Sequence, residues 1–124
     1  MITVIQIDPK NHKQRQLFKR IASVIYANNS QWVPPLAFEA EKVFHPARCS
    51  FYDHGEATFL VAMQDGRVVG RLAVLHNEAY NAYNQERKAF FYLFECINDR
   101  SVTSELFEKA FTWASERGLT CIEG

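Results

Sequence analysis

Ala89-Phe90-Phe91-Tyr92-Leu93-Phe94-Glu95-Cys96-Ile97 is an almost unbroken apolar run of strand length, and Glu95 is its only charge. Such a run predicts a central strand covered on both faces. Asn98-Asp99 follows, then a helical period from about Arg100 to Arg117. Val102, Leu106, Ala110 and Trp113 form its buried stripe, and Phe107, Phe111 and Ala114 widen it. Asp99 or Ser101 serves as N-cap, and Gly118 stops the helix. Leu119 to Ile122 then begins a further strand. Strand, helix and strand of this length imply a right-handed crossover between parallel neighbours.

Immediately upstream, Thr58 to Met63 and Arg67 to Leu75 flank Gln64-Asp65-Gly66. Asp-Gly between two apolar strands is a hairpin signal. Between the hairpin and the apolar run, Asn77 to Lys88 is polar, with Tyr80 and Tyr83 spaced for one face of a short helix. These two tyrosines cover core, unless the segment lines a binding site. Ala47 to Glu56 reads as a loop carrying Phe51 and Tyr52.

The N-terminal part opens with a β-branched alternation, Thr3 to Ile7, read as a strand. Asp8-Pro9 signals a helix start, Asp8 as N-cap and Pro9 at the first helical position. That helix runs to about Ala27 with Leu17, Phe18, Ile21, Val24 and Ile25 on one face. Two prolines, Pro34 and Pro35, fix an extended path, and a short helix follows from Ala37 to Phe44. The resulting order is β-α-α-β-β-β-α-β, an α/β arrangement around a mixed sheet. Its middle is antiparallel and its last pair parallel.

Composition narrows the function. The 124 residues make one domain with enough length for a core, and 48% are apolar. Fourteen Lys+Arg balance fourteen Asp+Glu. With no basic stripe, a nucleic-acid partner is not expected. No apolar run reaches the roughly 18–20 residues of a membrane span, so no membrane partner is expected. Met1 to Asp8 lacks the features of a signal peptide. The three cysteines, Cys49, Cys96 and Cys121, suit buried neutral thiols in a reducing, cytoplasmic setting. Cys96 and Cys121 flank the crossover helix and are expected near each other.

The element order resembles the first two-thirds of the GNAT N-acetyltransferase fold. Several stretches resemble one branch of that family: Gln31-Trp32-Val33-Pro34-Pro35-Leu36, Phe51-Tyr52-Asp53-His54-Gly55-Glu56 and Phe59-Leu60-Val61-Ala62. Val69-Gly70-Arg71-Leu72-Ala73, Phe91-Tyr92-Leu93-Phe94-Glu95 and the last helix with Trp113 and Gly118 complete them. The resemblance covers essentially the whole chain. It implies that residues 1–124 are the N-terminal part of a single GNAT-like domain, truncated at the C-terminus. An exposed sheet edge would leave such a fragment marginal in stability.

The resemblance also implies a chemistry: transfer of an acetyl or other acyl group from acyl-CoA to a small-molecule amine. In that family the diphosphate of acyl-CoA sits on N–H groups at a helix start, where the dipole favours anions. The matching residues are Asn98, Arg100, Ser101, Val102 and Thr103. Ser101 and Thr103 stand where the family carries small residues, usually glycine, so both glycines are absent. Their hydroxyls can donate to phosphate and Arg100 adds charge, whereas Asp99 opposes an anion. An ordinary helix cap explains this stretch equally well. The backbone of Glu95, Cys96 and Ile97 would hold the acyl carbonyl and pantetheine arm. Glu95 is the candidate base for the amine proton; the plainer reading points it to solvent or pairs it with Arg71. The alternative function is a catalytically silent GNAT-derived module for acyl-CoA binding or interaction.

Three other groupings carry less. His45, Cys49, Asp53, His54 and Glu56 have zinc-binding types, but their spacing matches no structural site, and no metal is expected. Trp32 with Pro34 and Pro35 reads as a wedge holding the early helices on the sheet as readily as a wall of an acceptor site. Arg71 meets an acidic substrate or extends from the edge of the core.

Overall fold

The computed structural model describes residues 2–25 and 55–124. In chain order these form β1 (Ile2–Gln6), α1 (His12–Ile25), β2 (Gly55–Gln64), β3 (Arg67–Asn77), α2 (Glu78–Asn84), β4 (Lys88–Cys96), α3 (Arg100–Glu116) and β5 (Cys121–Glu123). The strands lie side by side in the order β1-β2-β3-β4-β5. The first three pairings are antiparallel and β4–β5 is parallel. This is the mixed sheet expected from the sequence, and α2 is the short helix expected between β3 and β4. The expected helix Ala37–Phe44, the Trp32-Val33-Pro34-Pro35 segment, Cys49 and the loop to His54 lie outside the described residues. Glu56 belongs to β2 and not to that loop.

Among the described residues, α1 packs on one face of the sheet and α3 on the other. Phe18 and Ile21 of α1 are buried against Phe59, Val61, Val68 and Ala73. Val102, Leu106, Ala110, Trp113 and Ala114 of α3 pack on Leu60, Ala62, Val69, Leu72 and Val74. Period-2 alternation along β2 sends Phe59 and Val61 to one helix, Leu60 and Ala62 to the other. Burying a side chain such as Leu106 contributes about 2 kcal/mol relative to exposing it.

The turn chemistry agrees with the sequence at two places. Asp65 (φ 53°) and Gly66 (φ 78°) close the β2–β3 hairpin as a two-residue turn with both residues left-handed. Gly118 (φ 73°) ends α3. Its N–H bonds to Ser115 O, and Leu119 N–H reaches back to Ala114 O, each at 3.0 Å, a Schellman closure.

Four expectations need correction. Helix α1 starts at His12, not at Pro9. Asn11 Oδ1 accepts from Gln14 N at 3.2 Å, while Asp8 Oδ1 accepts from Lys10 N at 2.9 Å. Asp8 therefore builds a turn, and the Asn11/Gln14 pair supplies the cap. Phe111 is 56% exposed, so it does not widen the buried stripe. Tyr83 is 89% exposed and covers nothing, whereas Tyr80 stacks edge-on against Phe90 at 5.1 Å. Cys121 is exposed and pairs with Lys88, at the far end of β4 from Cys96. Eight strand residues separate these levels, about 26 Å, so the two thiols are not neighbours.

Candidate active site

The end of β4 meets the start of α3 at one end of the sheet. β5 pairs with β4 only through Lys88↔Cys121, Ala89↔Ile122 and Phe90↔Glu123, yet β4 continues to Cys96. From Phe91 onward that edge of β4 has no strand partner among the described residues. β4 is therefore not the fully covered strand the sequence suggested: most of it is half-buried and Leu93 is exposed. At the point of divergence a Cβ on Gly124 would collide with the Phe91 ring. Lys88 holds the paired end, with Nζ 2.6 Å from Glu123 Oε2 and 3.3 Å from Glu86 Oε2. The hydrogen bond to Glu123, then Glu86, keeps its ammonium protonated beyond the ordinary lysine range.

A bulge shapes the open part of β4. Arg71 pairs with Glu95 and Ala73 with Tyr92, so β4 carries one residue more than β3 between these levels. Leu93 takes the extra length with φ 55°, a left-handed conformation that costs a leucine about 1–2 kcal/mol. Arg71 braces it: Nε donates to Leu93 O at 3.0 Å and Nη1 to Phe18 O at 3.2 Å. Its guanidinium also lies 5.1 Å from the centre of the Phe18 ring. Thus Arg71 ties the bulge to α1. Beyond the bulge, Phe91 and Phe94 face the same way and both meet Phe107 edge-on, at 5.0 and 5.2 Å. Replacing Arg71 with methionine keeps the stem and removes both hydrogen bonds. Urea denaturation should show a loss of about 2 kcal/mol, little of it recovered by lysine, which lacks the fork. An unchanged midpoint would refute the brace.

The second component is the start of α3. Asp99 is the N-cap, its Oδ1 accepting from Ser101 N at 2.8 Å. Its carbonyl accepts from Thr103 N at 3.3 Å. The first-turn N–H groups of Arg100 and Val102 have no intrahelical acceptor. Cys96 Sγ lies 3.0 Å from Ile97 O and 3.3 Å from Thr103 Oγ1, which joins the end of β4 to the helix start. Ile97 N donates to Val69 O at 3.0 Å and fixes the strand end against β3.

A cavity of about 500 Å³ sits here, lined by Phe94, Cys96, Ile97, Asn98, Asp99, Arg100 and Thr103. It brings together five of the residues expected to bind acyl-CoA: Cys96, Ile97, Asn98, Arg100 and Thr103. Ser101 is exposed beside it, with its N–H already given to Asp99. Val102 is fully buried among core side chains, so only its N–H is of use to a ligand. Glu95 stands opposite Arg71 and shares its face of the sheet, the α1 side, away from the cavity. Asp99 is the unfavourable member, a carboxylate placed where a diphosphate would bind. Two contributors escaped the sequence reading: Leu93, whose residue type carries no left-handed signal, and Phe94, which looked like core.

No protein-family model matches the chain. Over 92% of its length it is 26% identical to a bacterial ceramide synthase of Caulobacter vibrioides and, over 92%, 28% identical to protein YghO of Escherichia coli. The chain spans only 30% and 29% of those relatives. Among solved structures, a tandem GNAT protein of clavulanic acid biosynthesis superposes with a TM-score of 0.69 over 94% of this chain and 34% of its own, at 12% identity. An aminoglycoside acetyltransferase from a soil metagenome gives 0.67, at 12% identity, over 99% of this chain and 76% of that one. An acetyltransferase of Clostridium acetobutylicum solved with acetyl-CoA gives 0.61, at 11% identity, over 98% and 79%. At these identities the likeness speaks to architecture, and the five-stranded mixed sheet between α1 and α3 has the fold of the GNAT acetyltransferases.

Proposed function

We propose that this chain carries the donor side of an N-acyltransferase that moves an acetyl or longer acyl group from acyl-CoA to an amine. The observation that carries the reading is the meeting of the end of β4 with the α3 N-terminus around one cavity. The pantetheine arm runs along the end of β4 near Cys96 and Ile97. The diphosphate lies at the N–H groups of Arg100 and Val102, with the Arg100 side chain and Thr103 beside it. The amine nitrogen attacks the thioester carbon, its proton passes to the Glu95 carboxylate directly or through water, and the C–S bond breaks to release the CoA thiolate, which takes a proton from solvent. An amide is the product. The Caulobacter relative is named for ceramide synthesis, and a ceramide is an amide of a long-chain amino alcohol. That name supports an amine acceptor and a fatty acyl donor here. Free Cys96 and Cys121 fit a cytoplasmic setting. Among the described residues no helix is long and apolar enough to cross a membrane.

Isothermal titration with acetyl-CoA and palmitoyl-CoA tests the reading, and no heat at about 1 mM of either ligand would end it. A catalytically silent GNAT-derived module is the second reading, favoured by Asp99 and by Ser101 and Thr103 in place of glycines. Asp99→Asn sharpens the binding test. Asparagine caps as well as aspartate but carries no charge against the diphosphate. Acyl-CoA affinity should rise about threefold to tenfold with little change in stability. Unaltered or weaker binding would remove the diphosphate from the α3 N-terminus.

A further inference from the structure

We propose that Glu56, His76 and Glu78 form a binding site for one divalent metal ion of the zinc type, at the end of α3 remote from the acyl-CoA cleft. Glu56 and His76 are direct cross-strand partners on β2 and β3. Glu78 follows two residues later in the first turn of α2. One donor atom from each of the three lies within 4.8 Å of the others. His76 Nδ1 is 3.9 Å from Glu56 Oε1, too far for a hydrogen bond. Ligands at about 2.1 Å from a tetrahedral ion stand about 3.4 Å apart, so this spacing is close to that of a shared ion. Glu78 is exposed, and a rotamer change closes its remaining distance.

A second observation points the same way. His76 Nδ1 is buried with no hydrogen-bond partner among the described residues. So is Thr58 Oγ1, on a residue only 2% exposed. Thr58 is two residues from Glu56 along β2, on the same face by the pleat, and diagonal to His76 across the ladder. Two buried polar atoms thus border the cluster with nothing in the described chain to satisfy them.

The surrounding charge suits the ion. Arg117 Nε donates to Glu56 Oε1 at 2.8 Å and uses one lone pair of that oxygen, so the carboxylate keeps acceptor capacity for a metal. Arg117 is itself held by Trp113 O at 3.0 Å and stacks 4.0 Å over the Trp113 ring. It acts as a positioning residue for Glu56. Glu56 and Glu78 share the one guanidinium of Arg117 with Glu116, whose Oε2 is 3.9 Å from Nη1, so negative charge is in excess and a divalent ion compensates it. One imidazole and two carboxylates suit zinc, with water completing the shell. Since α3 is about 25 Å long, the ion stabilises and does not reach the acyl group. It pins the start of β2, the end of β3 and the start of α2, with the end of α3 joined through Arg117.

The test titrates zinc into the chain and follows thermal unfolding with and without the ion. One zinc per chain should bind saturably and raise the midpoint. His76→Ala and Glu78→Gln should each weaken binding at least about tenfold, whereas Cys121→Ser should leave it unchanged. Cobalt(II) in place of zinc should give a spectrum without a thiolate charge-transfer band. Glu78 is exposed, so its variant remains interpretable if His76→Ala does not fold. No saturable binding up to about 0.1 mM zinc, parent affinity in Glu78→Gln, or a thiolate band would each overturn the site.

Discussion

Gly70→Val is expected to destabilise the chain by about 3 kcal/mol, at the upper end of the usual cost of overpacking. A Cβ at position 70 would lie 2.9 Å from Leu106 Cδ1 and 3.0 Å from both Cys96 Cβ and Val102 Cγ1. All three neighbours belong to the tightest contact between α3 and the sheet, and Leu106 and Val102 are fully buried. A β3 bulge sharpens the crowding. Ala62 pairs with Gly70 and Met63 with Val68, so Val69 and Gly70 both meet the α3 side. Valine adds a Cβ and two methyl groups to a space that is already tight for the Cβ alone. The first turn of α3 must then lift from β4, so acyl-CoA affinity falls together with stability. Urea denaturation gives the first quantity and titration with acetyl-CoA the second. Gly70→Ala should show the same direction with a smaller loss. In Gly70→Val/Leu106→Ala the two penalties should sum to less than their separate values, because the cavity accepts the new methyls. Parent stability in Gly70→Val would show that α3 is not seated this closely.

Glu95→Gln is expected to slow acyl transfer about 100-fold or more while leaving acyl-CoA affinity near the parent value. The two outcomes separate because the structure separates the groups: Glu95 lies on the α1 face, and the cavity at the α3 N-terminus is lined by other residues. Glutamine preserves shape and hydrogen bonding but cannot take the amine proton. Release of free CoA thiol is the readout, with acetyl-CoA or palmitoyl-CoA as donor and a panel of amines, a long-chain amino alcohol among them, as acceptors. A variant as fast as the parent would exclude Glu95 as the base. A parent with measurable acyl-CoA affinity and no transfer to any amine would favour the silent module.

Where local chemistry decides, the sequence was readable. Asp65-Gly66 meets the left-handed requirement of a two-residue hairpin, Gly118 meets that of a helix end, and Asp99 supplies an N-cap oxygen. Each outcome depends on residues within a few positions. The start of α1 was a contest between two such signals, and Asn11 with Gln14 won over Asp8-Pro9 because their side chains satisfy more free N–H groups. Periodicity alone overstated the reach of the core. Phe111 and Tyr83 lie at the margins of their helical stripes, and nothing among the described residues covers them there.

The candidate site shows the same division. The apolar run from Ala89 to Ile97 and the following helix identified the region from sequence alone, because a parallel crossover needs that order and length. The shape of the β4 end was not encoded in any residue type. It depends on the left-handed Leu93 and on Arg71 reaching carbonyls on two other elements. The cross-strand meeting of Glu56 and His76, twenty residues apart, likewise exists only once the hairpin sets the register. Sequence therefore determined the elements, their order and the apolar faces, since these follow from side-chain period and local backbone preference. Tertiary structure alone decided where the bulge falls and which distant polar groups meet, because those depend on register and on the close seating of α3 at Gly70.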